Sequence, residues 1–91
     1  MKYIIYKTTN LINDKIYIGK HQTETVDDGY LGSGTNLKHA IEKYGKDKFK
    51  REILFECGSI SEMDKLEADI VDDAFVARLD TYNIKLGGQG G

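Results

Sequence analysis

Two segments rich in Ile, Tyr and Thr, residues 2–8 and 15–20, flank the run Asn10-Leu11-Ile12-Asn13-Asp14. Asn and Asp turn the chain back by hydrogen-bonding their own backbone, so the first 20 residues predict a β-hairpin. Pairing Thr8 with Lys15 would set Tyr6 directly opposite Tyr17. Side chains alternate with period two, so both phenols would share one face, with Ile5, Ile16 and Ile18 on the other. A one-residue slip would reverse that sorting.

The rest of the chain must supply what covers this hairpin. Residues 21–34 show no periodicity and end in Gly29-Tyr30-Leu31-Gly32-Ser33-Gly34, a loop with demands on its backbone. Leu37, Ala40, Ile41 and Tyr44 follow at helical spacing, with Thr35 as the expected cap and Gly45 as the stop. Phe49–Glu56 reads as a third strand with Phe49, Ile53 and Phe55 on one face. Arg51 falls on that same face and spoils the alternation. A second helix is expected from Ser61, with Ser61 and Asp64 at capping-box spacing. Its apolar stripe is Met63, Leu66, Ile70, Val71 and Ala74. Residues 74–79 extend that helix or form a separate turn, and Thr81–Ile84 reads as extended. The expected fold is α+β: a small antiparallel three-stranded sheet, made of the N-terminal hairpin plus one strand, flanked by helices. Residues 1–86 would form one domain and the Gly-rich residues 87–91 a flexible tail.

With 91 residues the chain has room for one small domain with a thin core. Its single cysteine, Cys57, forms no internal disulfide, which points to a reducing, cytoplasmic setting. The apolar N-terminal run is too short for a signal peptide or membrane span. Net charge is −2, which argues weakly against nucleic acid. Its distribution reverses that: residues 1–51 carry ten Lys/Arg against six Asp/Glu, and residues 52–91 three against nine. Such asymmetry hints at an anionic partner on one face, although chance sorting of solvated charge produces it too.

Several chemistries find no support. One Cys and two distant histidines make no zinc pattern. Cys57 has no identifiable base, and the loop glycines lack the Gly-Lys-Ser/Thr of a phosphate loop. What remains is Tyr6 and Tyr17 on one hairpin face, Glu67 inside the apolar stripe of the second helix, and basic residues between them. Burying a lone carboxylate costs several kcal/mol unless a cation or hydrogen bonds compensate it, roughly on the scale of other buried charges. Phosphodiester hydrolysis uses such a set: a hydrated cation on a carboxylate, groups that orient or deprotonate water, and positive charge for the phosphate. Taken alone, the tyrosines also read as ordinary strand aromatics, and Glu67 as a stripe-edge carboxylate reaching solvent.

Ile5-Tyr6, then ten residues, then Tyr17-Ile18-Gly19 resembles the two halves of the GIY-YIG nuclease signature, with Ile4 where the family usually has Gly. Further landmarks follow in order. Lys43-Tyr44-Gly45 before Phe49 looks like the family's second helix and turn, and Glu52-Ile53-Leu54 like its third strand. Glu67 stands at its metal-binding glutamate and Tyr82-Asn83-Ile84 at its C-terminal asparagine segment. The central Asp28–Gly34 run is most similar to phage and mobile-element members, many of them homing endonucleases.

The resemblance implies a DNA endonuclease domain using Mg²⁺ or Mn²⁺. Tyr6, Tyr17, His21, Lys38 and Asn83 would be its catalytic residues, with Tyr6 acting as or assisting the general base and Asn83 bracing the site, and Glu67 would be its metal ligand. Lys20, His39, Lys43, Lys46, Lys48, Lys50 and Arg51 would meet phosphates. DNA would be the partner, with target recognition left to a separate domain or partner protein, inside a cell that a phage could infect. The family's essential arginine has no counterpart before Arg51, so Lys38 or His21 is expected to supply the charge. Two other readings stay open: a binding module of the same fold with impaired catalysis, and a repair-type incision domain, which the Asp28–Gly34 loop disfavours.

Overall fold

A computed structural model describes residues 1–26 and 28–84. Three strands, β1 (Lys2–Asn10), β2 (Ile16–Thr23) and β3 (Phe49–Cys57), form one antiparallel sheet in the order β2-β1-β3. Helix α1 (Thr35–Tyr44) lies between β2 and β3, followed by a single 3₁₀ turn at Lys46–Lys48. Helices α2 (Ile60–Ile70) and α3 (Asp73–Val76) follow β3. The expected tail at 87–91 lies outside the described residues.

The hairpin forms, but two residues out of the expected register: Thr8 faces Tyr17 and Tyr6 faces Gly19. The turn explains the difference. The Asn10 side chain accepts from Ile12 N at 2.9 Å, the Asn13 side chain accepts from Lys15 N at 3.0 Å, and Asp14 adopts φ 62°. These bonds close the loop in four residues, so β1 runs on to Asn10, whose N–H reaches Lys15 O. A shift of two preserves the parity of the strand, so Tyr6 and Tyr17 still share a face, now as diagonal neighbours with ring centroids 6.3 Å apart.

In β3, Tyr6 pairs with Ile53 but Ile5 pairs with Phe55, so Leu54 is the extra residue of a bulge. Phe49, Arg51 and Ile53 therefore share the Tyr6 face, whereas Phe55, expected beside them, is turned to the Ile5 face. Both helix starts also differ from expectation. Gly34 occupies the α1 cap position without a side-chain bond, and Thr35 is already helical. Helix α2 starts earlier than expected because Ser59, not Ser61, accepts the Glu62 N–H at 3.2 Å. The ambiguous stretch after Val71 is a separate short helix, capped by Asp72 through Phe75 N–H.

The sheet buries both faces. Ile5, Ile18 and Cys57 pack with Met63, Val71 and Phe75 of α2 and α3. On the Tyr6 face, Leu37 and Ala40 of α1 pack with Phe49 and Tyr82. Burying a side chain such as Leu37, which is fully enclosed, contributes about 2 kcal/mol. Residues 80–83 run along the outer edge of β2: Ile16 N donates to Asp80 O and Tyr82 N to Ile16 O, both at 2.8 Å. The first residues of that edge, Ile16 to Ile18, are thereby covered. Among the described residues, no helix is long and apolar enough to cross a membrane.

Candidate active site

The hairpin carries Tyr6, Tyr17 and His21 on one face because all three have the parity that points away from α2. Tyr6 is 1 % exposed and lies against three rings: Tyr17, His21 at 6.5 Å edge-on, and Tyr30 at 5.9 Å edge-on. Gly19 makes the approach possible. A Cβ there would stand 2.6 Å from the Tyr6 hydroxyl, so any side chain would push the phenol out. Gly32 does the same for Tyr17. It has φ 139°, and a Cβ would meet Leu37 at 2.5 Å and the Tyr17 ring at 2.9 Å.

Burial, followed by the neighbouring Tyr17 and Tyr30, pushes the Tyr6 phenol well above its ordinary value, and the Glu67 charge adds to this. Tyr17 is also raised, first by burial and then by Tyr30 and Glu67. Both phenols therefore stay protonated at neutral pH and are hydrogen-bond donors there. The Glu67 charge thus acts on both tyrosines, although Glu67 belongs to α2, where it is buried with Met63. Among the described residues no three His, Cys, Asp or Glu side chains converge on one point. Among the described residues Glu67 is the buried carboxylate, and a lone carboxylate fits a hard cation that keeps most of its waters.

Asn83 is buried and committed to the β2 edge. Its Oδ1 accepts Ile18 N–H at 2.9 Å and its Nδ2 donates to Ile18 O at 2.7 Å. It therefore fixes the strand between Tyr17 and Gly19, in line with the bracing role the resemblance implies. Tyr82 adds a second brace by accepting from Asn10 Nδ2 at 3.0 Å.

The remaining basic residues divide sharply. Arg51, expected as a phosphate contact, turns inward: its side chain is 10 % exposed and its guanidinium carbon lies 5.9 Å from the Tyr6 ring centre. It donates to Val26 O, to Tyr30 O at 2.9 Å and to Asp28 Oδ1 at 3.2 Å. The cause is its pairing with Thr8, which puts it on the Tyr6 face beneath the loop. Lys20 is on the opposite face, half-buried and paired with Asp64 at 2.7 Å, so it is not a free phosphate contact either. Lys38, His39, Lys43, Lys46, Lys48 and Lys50 are exposed. The Lys38 side chain makes no hydrogen bond or ion pair with a described residue. An open depression of about 530 Å³ between the loop and α1 is lined by His21, Tyr30, Leu31, Ile41 and Lys46.

Sequence reasoning missed Asp28 and Tyr30. Asp28 accepts from Tyr30 N at 3.0 Å and meets His21 Nε2 at 2.8 Å, and the Tyr30 ring stacks on His21 at 4.0 Å. The His21 bond, then the Tyr30 amide, holds the Asp28 carboxyl well below the usual carboxylate range. The one available signal was Asp28-Gly29 itself, a pair that forms side-chain-closed turns.

No family model matches the sequence. Among curated proteins, the chain is 56 % identical over 90 residues to "Putative endonuclease segD" of Enterobacteria phage T4, covering 99 % of this chain and 40 % of that protein. It is 44 % identical over 91 residues to "Endonuclease segA" of the same phage, covering 94 % of this chain and 39 % of that one. The chain thus spans about two-fifths of the length of these relatives. Among solved structures, a mutant of the catalytic domain of intron endonuclease I-TevI matches with a TM-score of 0.67 at 22 % identity, covering 93 % of this chain and 95 % of that one. The resemblance read from the two tyrosine motifs is borne out: the chain is a homologue of the phage T4 seg proteins and carries the fold of a GIY-YIG nuclease domain.

Proposed function

We propose that this chain is the nuclease domain of a DNA endonuclease and hydrolyses phosphodiester bonds with Mg²⁺ or Mn²⁺. The observation that carries this reading is the pairing of Tyr6 and Tyr17 on one sheet face, under the electrostatic influence of a buried Glu67 from an otherwise apolar helix stripe. Glu67 would hold the ion, which when bound supplies Lewis-acid stabilisation of the phosphate. Tyr6 and Tyr17, kept protonated by burial, donate hydrogen bonds to phosphate oxygens or to the attacking water. That replaces the role of general base that the resemblance suggests for Tyr6. His21, whose ring meets Tyr6 edge-on, would instead accept the proton from water.

Duplex DNA is the proposed substrate, in keeping with the word endonuclease in the names of the relatives. The exposed lysines of α1 and the following turn, with His39, would meet phosphates and make binding fall steeply with salt. Target recognition would fall to a part of a longer protein or to a partner. The T4 origin of the relatives fits an intracellular setting during infection. A second reading, a binding module with impaired chemistry, is favoured by one feature: the guanidinium beside Tyr6 is already engaged by Asp28 and two carbonyls.

Nicking of supercoiled plasmid by the chain separates the two readings. Cleavage that appears with Mg²⁺ or Mn²⁺ and stops in excess chelator supports the nuclease. Salt-sensitive DNA binding without cleavage under either ion supports the binding module.

A further inference from the structure

We infer that Asp28 and Arg51 are positioning residues, a two-step mooring that ties the central loop to the sheet and fixes the His21 imidazole with Nδ1 as its free acceptor. The inference rests on the nuclease reading for its catalytic meaning, but its geometry stands separately.

A carboxylate only accepts hydrogen bonds, so the 2.8 Å contact between Asp28 Oδ2 and His21 Nε2 places the proton on Nε2. In the neutral ring Nδ1 is then bare and able to take a proton. Two rings fix the plane of the imidazole: Tyr30 stacks on it at 4.0 Å with 12° between planes, and Tyr6 meets it edge-on. Asp28 is itself held twice, by the Tyr30 amide within its own turn and by Arg51 from β3.

Arg51 is the link to the rigid sheet. One guanidinium reaches Asp28 and the carbonyls of Val26 and Tyr30, three acceptors spread over five residues of loop. Planar fork geometry serves several fixed acceptors, whereas an ammonium offers a point charge on a flexible stem. A phosphate-binding arginine would point outward; this one is 10 % exposed and spends its donors on the loop. The aperiodic segment is therefore held by β3, and through Asp28 it orients the His21 ring that β2 sets against Tyr6.

In the reaction, Nδ1 takes a proton from the attacking water as the water oxygen bonds to phosphorus. The bond from phosphorus to the leaving oxygen breaks, and that oxygen takes a proton from solvent. Asp28 and Arg51 touch none of the reacting atoms and act only through His21.

The test follows the His21 ring nitrogens by ¹⁵N NMR on the labelled chain, beside plasmid nicking with Mn²⁺. In the neutral form of the ring, the parent is expected to show a protonated, slowly exchanging Nε2 and an unprotonated Nδ1. Asp28→Ala should lose the slow Nε2 proton and lower kcat at least about tenfold, with DNA affinity within about twofold. Arg51→Met should do the same, and Arg51→Lys should restore the signal in part. A merely structural Arg51 would alter stability and leave the His21 signal in place. If Arg51→Met fails to fold, Asp28→Ala, confined to the loop, decides alone. A parent without the slow Nε2 proton, or an unchanged His21 signal in Asp28→Ala, overturns the mooring. A parent that cuts no DNA sinks the nuclease reading, while the ring-nitrogen signals still decide whether the mooring exists.

Discussion

The core under α2 and the loop over Tyr6 are held by different physics. The side covered by α2 and α3 is an apolar interlock of Ile5, Ile18, Met63, Val71 and Phe75, spread over many small contacts. The loop over Tyr6 is held by a handful of polar contacts, chiefly Arg51, Asp28 and the 2.6 Å bond from Thr8 Oγ1 to Leu31 O. Interlocked cores lose stability gradually with each deletion, whereas a polar mooring depends on single atoms. The sparse arrangement stands where the loop and His21 line the open depression beside α1.

The largest expected effect concerns the residue that belongs to both regions. Glu67 sits on the α2 side but acts on the tyrosines. Glu67→Ala should lower nicking at least about a thousandfold, equivalent to roughly 4 kcal/mol of activation free energy. Far-UV circular dichroism should be unchanged, because Ala suits a helix interior well. Residual cleavage within tenfold of the parent would remove Glu67 from the chemistry and leave it a structural carboxylate.

Next comes the core under α1. Leu37 is fully buried between α1 and Phe49 and touches the loop near Gly32. Leu37→Ala should cost about 3 kcal/mol in urea unfolding, the middle of the usual range for such a cavity. A loss under 1 kcal/mol would mean that the Tyr6 face is loosely packed as a whole, and the contrast with the α2 side would sharpen.

A smaller effect separates chemistry from packing. Tyr6→Phe and Tyr17→Phe remove one hydroxyl each and keep the ring contacts. Each should slow nicking at least about tenfold, roughly 1.4 kcal/mol, with little change in stability. Rates within twofold of the parent would return both tyrosines to a packing role.

The same contrast decides what was legible in the sequence. Ile5, Ile16 and Ile18 were sorted to the correct face because parity survives a two-residue shift, and Glu67 stood out because helical spacing made it the polar intruder in its stripe. The register was not legible, since the turn is set by individual Asn10 and Asn13 bonds that periodicity does not see. Phe55 was misplaced because a bulge at Leu54 reverses parity without any Gly to announce it. Arg51 was visible only as a break in the β3 alternation. That break was its signature, since a charged residue on a covered face needs partners, and here they lie 21–25 residues away in a segment with no pattern.

The smallest effect is on the mooring itself and is read with pH. The Asp28 carboxyl is held below its ordinary value of 3.8, first by His21 and then by the Tyr30 amide. A depressed carboxylate adds stability that is fully present above its unfolded value and is lost as pH falls through the folded one. The loop should therefore stay moored down to about pH 4 and loosen below it. Asp28 is near the surface, so the contribution is on the order of 0.2–1 kcal/mol. The Tyr30 amide, which donates to Asp28 Oδ1, reports the event directly. Its NMR shift should titrate with a midpoint clearly below 3.8, while the amides of Ile5 and Ile18 hold their positions until the sheet unfolds. Asp28→Asn should flatten the Tyr30 curve and leave the sheet transition where it was. Loop and sheet amides moving together in a single acid transition would make the two regions one cooperative unit, because the mooring would then have no equilibrium of its own.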